Sequence, residues 1–212
     1  MENEFLMKGD YINISGLEYD AIKIMQELIG INETWKKSGL EFAIQLIDPS
    51  DAPVKFHTSG TTGEPKEISF SKRQILYSAK NTCDYFGIIA DSKLFLCLPT
   101  DFVAGRMMMA RAFVSGAELI WIEPSLNPLK NIVGINLATF TPAQAATIIA
   151  DKETRNTFEK INTVIIGGGE ISNTLEKDLG NFKNQIFATY GMTETLTHVA
   201  VRKINEQVYH SV

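Results

Sequence analysis

The chain has 212 residues, 44% of them hydrophobic and 21% charged, a composition that suits a soluble globular protein large enough to bury a core. Its formal net charge is −5, with 20 lysines and arginines set against 25 aspartates and glutamates, and the basic residues are scattered rather than clustered. That distribution excludes a polyanion footprint, so neither nucleic acid nor an anionic membrane surface is an expected partner.

The opening stretch "MENEFLMKGDYINI" has no positive region ahead of a long apolar run, and eighteen consecutive apolar residues occur nowhere. Neither a signal peptide nor a membrane span is expected. Cys83 and Cys97 sit in apolar-periodic segments without CxxC spacing and read as buried free thiols of a reducing, cytoplasmic compartment. His57, His198 and His210 lack metal-ligand spacing with one another and with the cysteines. No repeat, low-complexity tract or linker divides the chain.

In chain order, "PVKFHT" (residues 53–58) predicts a strand and "EISF" (67–70) a second, with a loop of turn residues between them. "SKRQ" (71–74) has the spacing of a capping box. Ile75, Leu76, Ala79, Cys83 and Phe86 then recur on one helical face until Gly87 ends the run. Next come a strand "LFLCL" (94–98), a helix around residues 106–114 closed by Gly116, and strands "ELIWIE" (118–123) and "INLATF" (135–140). "TPAQ" (141–144) supplies a capping threonine, a first-turn proline and a glutamine, and so predicts a helix start. Strand "TVIIGG" (163–168), a short helix opening near Asn173, and strand "QIFATY" (185–190) complete the pattern. Near-continuous apolar strands between helices predict an α/β layered fold with a largely parallel sheet buried on both faces. Ligands in such folds collect where loops leave the strand ends.

Three loops carry candidate chemistry. In "HTSGTTGEPK" (57–66), backbone N–H groups, the hydroxyls of Thr58, Ser59, Thr61 and Thr62, and the Lys66 ammonium all suit phosphate oxygens, with Gly60 and Gly63 allowing close approach. The spacing is not that of a Walker A loop, because the two glycines are three apart and Pro65 precedes Lys66. A turn-rich hairpin loop without a ligand is the alternative, disfavoured by how many phosphate-compatible groups coincide. "GGGEIS" (167–172) follows a strand but fails the dinucleotide fingerprint at its last position, so it implies only that something approaches the backbone closely. "TYGMTET" (189–195) offers a ring for a base, a hydroxyl for a phosphate and a carboxylate for Mg²⁺. A strand-end turn with a solvated Glu194 would look the same.

Taken together, "FHTSGTTGEPK", "GGGE" and "YGMTE" resemble the signatures of the adenylate-forming superfamily, which includes acyl-CoA synthetases and peptide-synthetase adenylation domains. The segments "LCLPTDFVAGRMMMARAFVSGAEL", "PSLNPL", "TPAQ" and "HVAVRKIN" are most similar to the o-succinylbenzoate–CoA ligases of menaquinone biosynthesis. The resemblance implies residues 1–52 as a shortened N-terminal segment and 53–212 as the AMP/ATP-binding core of a layered αβα N-terminal domain. It implies β- and γ-phosphate binding by Thr58, Ser59, Gly60, Thr61, Thr62, Gly63 and Lys66. It implies an adenine and AMP site at Gly168, Gly169, Glu170, Tyr190, Gly191, Met192 and Thr193, with Mg²⁺ at Glu194.

ATP, coenzyme A and a small carboxylic acid are the implied substrates. Thr141 and Arg111 are the candidates for the acid: an arginine on the apolar run "MMMARAFV" needs a partner if buried, and is otherwise a surface arginine on an amphipathic helix. Met107, Met108 and Met109 line the acyl pocket or, for at least two of them, pack the core, since three successive helical residues cannot share one face.

Two departures bear on these expectations. Asp101 and Phe102 stand where superfamily members commonly carry an aromatic–histidine pair. No match to the superfamily's Thr-Gly-Asp ribose segment or its small lysine-bearing C-terminal domain precedes Val212, so the expectation is an incomplete enzyme, inactive alone. The alternatives are a nucleotide-binding module without activity and an adenylation domain that loads a carrier protein.

Overall fold

The structure is a computed structural model that describes residues 10–50, 52–58, 66–130 and 132–212. Strands β1 (Tyr11–Ile14) and β2 (Leu17–Asp20) form a hairpin, followed by helices α1 (Ala21–Ile29) and α2 (Thr34–Ile47). A separate two-stranded hairpin, β3 (Val54–His57) and β4 (Glu67–Phe70), leads into α3 (Lys72–Phe86). The rest alternates: β5 (Lys93–Leu96), α4 (Val103–Ser115), β6 (Glu118–Trp121), β7 (Leu137–Phe140), α5 (Pro142–Ala150), α6 (Lys152–Phe158), β8 (Thr163–Ile166), α7 (Asn173–Leu179), β9 (Gln185–Gly191), β10 (His198–Lys203) and β11 (His210–Ser211).

The large sheet has the order β11-β10-β9-β8-β7-β5-β6-β1-β2. Its central pairs β1–β6, β6–β5, β5–β7, β7–β8 and β8–β9 are parallel, and the antiparallel pairs β1–β2, β9–β10 and β10–β11 lie towards the edges. Side chains alternate across each strand. Leu94 and Leu96 of β5 enter the core shared with α1–α4, whereas Phe95 and the following Cys97 enter the core shared with α5–α7. These two cores on opposite faces make the αβα layering, and they explain why β7 and β8 are buried at every position.

Both capping boxes form. The Ser71 hydroxyl accepts from the Gln74 N–H at 3.3 Å and that of Thr141 accepts from the Gln144 N–H at 3.2 Å, each worth about 1 kcal/mol of helix stability. Gly87 and Gly116 close α3 and α4 with φ of 66° and 73°, in the left-handed region that glycine enters without strain.

Helix α4 is not the amphipathic surface helix of one of the two readings of Arg111. Gly105 and every residue from Met107 to Ser115 are buried, because α4 packs against α2 and α3 as well as strands β1, β5 and β6. Met107, Met108 and Met109 are all fully buried in the core, and none of them lines the cavity described below. Gly105 sits where a Cβ would lie 2.4 Å from the Pro99 carbonyl oxygen, which fixes the start of α4 against the end of the β5 segment. Among the described residues, no helix is long and apolar enough to cross a membrane.

Candidate active site

The three predicted loops leave structural positions that can be taken in turn. At the tip of the β3–β4 hairpin, Thr58 N–H donates to the Lys66 carbonyl and Lys66 N–H donates to Thr58 Oγ1, both at 3.0 Å. These bonds clasp the base of the loop and leave the Lys66 side chain exposed. Ser59, Gly60, Thr61, Thr62 and Gly63, expected to hold phosphate, lie outside the described residues.

The second and third loops leave adjacent parallel strands. Gly167 N–H donates to the Phe140 carbonyl at 3.1 Å, so the loop after β8 starts beside the end of β7. A Cβ on Gly167 would lie 2.4 Å from Thr189 Oγ1 on β9, and one on Gly169 would lie 3.6 Å from Pro142 at the start of α5. Gly168 has φ of 78°. Glycine is thus required at 167 by a close approach and favoured at 168 by backbone conformation. Gly168, Gly169 and Glu170 are exposed, and Tyr190 and Met192 present 58% and 45% of their surface to solvent. An exposed tyrosine ring beside bare backbone suits a planar heterocycle.

Past β9 the chain turns sharply through a 3-10 turn, Thr193–Thr195. Thr195 N–H donates to the Met192 carbonyl at 3.1 Å, and Leu196 is held at φ of 65° with its side chain buried in the core. A branched residue in that region costs free energy, which core burial of the leucine offsets. Gly191 allows the return, since its Cβ would lie 2.4 Å from the Thr197 carbonyl oxygen. Glu194 is exposed at the turn.

Between this turn and α3 is a cavity of about 720 Å³, whose walls include Ser71, Tyr77, Thr82, Glu194, Thr197 and His198. Thr141 is not among its lining residues, and its hydroxyl is engaged in the α5 capping box. Among the described residues no three His, Cys, Asp or Glu side chains cluster to cage a metal ion. Glu194 is an exposed carboxylate on the cavity wall, a ligand type that Mg²⁺ takes singly or in pairs while nucleotide phosphates and water complete its oxygen shell.

Arg111 is neither a surface residue nor one of the residues that line the cavity, whose wall it touches through Thr197. It is 2% exposed, its Nη2 donates to Thr197 Oγ1 at 2.6 Å, and its buried Nε has no partner among the described residues. Burial pushes the guanidinium down to about 10. A buried cation without a carboxylate is costly unless an anion joins it.

His198, considered in the sequence only for metal spacing, lies in the same cluster. It is 8% exposed, with Nδ1 at 3.3 Å from Thr197 Oγ1 and Nε2 at 3.2 Å from Thr82 Oγ1. Burial foremost, and the Arg111 charge second, push its imidazole down to about 3, so it is neutral at physiological pH. Cys83 and Cys97 are buried free thiols, raised by burial to about 11 and about 12. They are inert as nucleophiles near neutrality. Asp101 and Phe102, at the start of α4, are both exposed.

Residues 15–212 match the AMP-binding enzyme family. The 2-succinylbenzoate–CoA ligase of Bacillus subtilis is 24% identical over 195 residues, an alignment that covers 90% of this chain and 40% of that protein. An acyl-CoA synthetase (AMP-forming)/AMP-acid ligase II-like protein from Dyadobacter fermentans superposes with a TM-score of 0.79 at 25% identity, over 86% of this chain and 53% of that one. The o-succinylbenzoate coenzyme A synthetase of Bacillus subtilis, solved with ATP and magnesium ion, shares the fold at a TM-score of 0.64 and 20% identity, over 73% of this chain and 33% of its own. The chain thus spans about 40% of the length of that curated ligase.

Proposed function

Because the chain belongs to the AMP-binding enzyme family, we propose that it carries the nucleotide and acid sites of an ATP-dependent acid–CoA ligase whose acid is o-succinylbenzoate. The observation that carries this reading is the convergence of the loops after β7, β8 and β9, with Gly167 against Thr189 and Gly169 against Pro142, beside a cavity that Glu194 and Thr197 line.

A carboxylate is a poor acyl donor because its leaving group would be oxide. In the proposed first step a carboxylate oxygen attacks the α-phosphorus of ATP, the bond to the bridging oxygen breaks, and pyrophosphate leaves. In the second the thiolate of coenzyme A attacks the acyl carbonyl and AMP leaves. The first step brings an anion to a polyphosphate, so electrostatic compensation is its main requirement. Lys66 and the hydroxyls and N–H groups of Thr58, Ser59, Gly60, Thr61, Thr62 and Gly63 meet the β- and γ-phosphates. Thr193 meets the α-phosphate, and Tyr190 stacks on adenine beside Gly168, Gly169, Glu170, Gly191 and Met192. Glu194 would hold Mg²⁺, which when bound would supply charge neutralisation at the phosphates.

The second carboxylate of a dicarboxylic acid accounts for Arg111. A guanidinium that is 2% exposed, with an unpaired Nε–H and no carboxylate partner among the described residues, suits an anion brought by the acid. A fatty acid would leave it unpaired. The Thr141 hydroxyl caps α5 and does not line the cavity, so the acid is assigned to Arg111 and not to Thr141.

Equilibrium titration of the chain tests this directly. MgATP and o-succinylbenzoate are both expected to bind, with the acid but not the nucleotide lost in Arg111→Met. Binding of monocarboxylic and dicarboxylic acids with equal affinity would overturn the assignment of the acid.

A further inference from the structure

The cluster around Arg111 has an internal order that donor and acceptor bookkeeping makes explicit. Arginine can only donate, so Thr197 Oγ1 is the acceptor of the 2.6 Å bond from Nη2. The Thr197 hydroxyl proton is then free to be donated, and the imidazole Nδ1 stands 3.3 Å away to receive it. At the far end, the Thr82 hydroxyl donates to the Ser78 carbonyl, one turn back on α3, at 3.2 Å. That leaves Thr82 Oγ1 as the acceptor towards the ring nitrogen Nε2 at 3.2 Å. A neutral imidazole carries one proton, and these four contacts are all satisfied only when it sits on Nε2.

We propose that His198 is a positioning residue for the acid site, held as the neutral tautomer protonated at Nε2. It completes a directional chain from Arg111 through Thr197, His198 and Thr82 to the Ser78 carbonyl. This rests on the assignment of Arg111 to the acid.

The chain orders the Arg111 guanidinium without a second buried charge. A carboxylate in place of His198 would neutralise Arg111 and remove its demand for an anionic ligand. A protonated imidazole would have to donate from Nδ1 to Thr197 beside the guanidinium, turning the threonine's proton away and placing two cations together. Only a neutral acceptor leaves Thr197 oriented and Arg111 with a single unmatched positive charge. The groups packed on the ring fit that role. Thr82 and Phe86 face it from α3, the Phe86 ring centroid at 6.4 Å, while Arg111 faces it from α4. The bonded series also joins three elements: α4, the turn after Glu194, and α3, which follows directly on the β3–β4 hairpin. Thr82, Thr197 and His198 line the cavity, so the chain is part of its wall.

Nitrogen-15 NMR of the 212-residue protein, with the His198 signals identified by their loss in His198→Gln, tests this without reference to catalysis. The expected spectrum has a proton on Nε2, a bare Nδ1, and slowly exchanging Arg111 side-chain N–H signals. In the near-isosteric Thr82→Val the Nε2–H signal moves and the Arg111 N–H exchange quickens by about fivefold or more, the loss expected when one bond of a buried set is removed. Glutamine at 198 can accept and donate, so His198→Gln retains slow Arg111 exchange where His198→Leu does not. A proton on Nδ1, or Arg111 exchange indifferent to both Thr82→Val and His198→Leu, would overturn the proposal. Affinity for o-succinylbenzoate separates it from the reading on which it rests. If the unmutated chain binds no acid, the assignment of Arg111 to an acid fails and the positioning role fails with it, whatever the tautomer. If it binds the acid and Thr82→Val binds it about equally, only the positioning role fails.

Discussion

The Cβ that Gly167 lacks would stand 2.4 Å from Thr189 Oγ1, and the Thr189 hydroxyl itself donates back to the Ile166 carbonyl at 3.4 Å. Two loops with candidate nucleotide residues are therefore held in register by the absence of one methyl group. Gly167→Ala is expected to rotate or displace Thr189, costing about 1–2 kcal/mol of stability and weakening MgATP binding. Thr189→Ala should rescue much of that cost, because the two changes share a contact. Additive effects in urea unfolding of the single and double variants would contradict the close approach.

Arg111→Met should leave the chain as stable as before or more so. The methionine fills a similar apolar volume, the buried charge is removed, and the Thr197 hydroxyl keeps His198 as its partner. Affinity for o-succinylbenzoate should fall about ten- to hundredfold, the worth of a charge-assisted contact. A variant that loses stability while retaining the acid would make Arg111 structural.

His198 gives stability a pH dependence of known sign. Its folded value is about 3 against an ordinary 6.5, so below pH 6.5 the unfolded chain binds a proton that the folded chain refuses. This contribution is fully present above pH 6.5. It is lost as pH falls towards 3, with a slope of about 1.4 kcal/mol per pH unit between the two values. The urea midpoint of His198→Gln should decline less steeply over that window than that of the unmutated chain; parallel declines would show that His198 is not buried and neutral.

Lys66→Ala and Glu194→Gln each remove one charge from an exposed side chain, so the far-ultraviolet spectrum and unfolding midpoint should not change. Loss of a preorganised contact to a reacting phosphate is expected to cost about a hundredfold in rate. Dissociation constants for MgATP, compared with those for ATP without magnesium, separate the two: Glu194→Gln should abolish the advantage given by the metal, and Lys66→Ala should weaken both forms.

The sequence made the central sheet readable because strands buried on both faces are plain apolar runs. "TVIIGG" overruns β8 only by its two glycines, and "EISF", although it lies in the separate hairpin and has no buried residue, is β4 to the residue. Both capping boxes follow from side-chain chemistry three residues apart and are present. The elements before residue 53 carry no such signal. β2 has no buried residue, and α2 contains Gly39, which looks like a breaker until Trp121 is seen 2.6 Å from where its Cβ would be. The alternation in "HVAVRK" could have given β10, but the pattern is interrupted by a register shift between His198 and Ala200.

At the site, local motifs marked the loops, while the Arg111–Thr197 bond joins residues 86 apart in the chain. No periodicity reveals such a contact. The burial of Arg111 itself follows from α4 being covered on every side, which a single helical pattern cannot tell from an amphipathic surface helix.

ATP–pyrophosphate exchange by the gene product that carries this chain, with o-succinylbenzoate beside a panel of fatty, aromatic and amino acids, tests the central claim most directly. The account predicts exchange with o-succinylbenzoate and none with the monocarboxylic acids. Absence of exchange with every acid, from folded protein that still binds ATP, would contradict it and leave a nucleotide-binding module in its place.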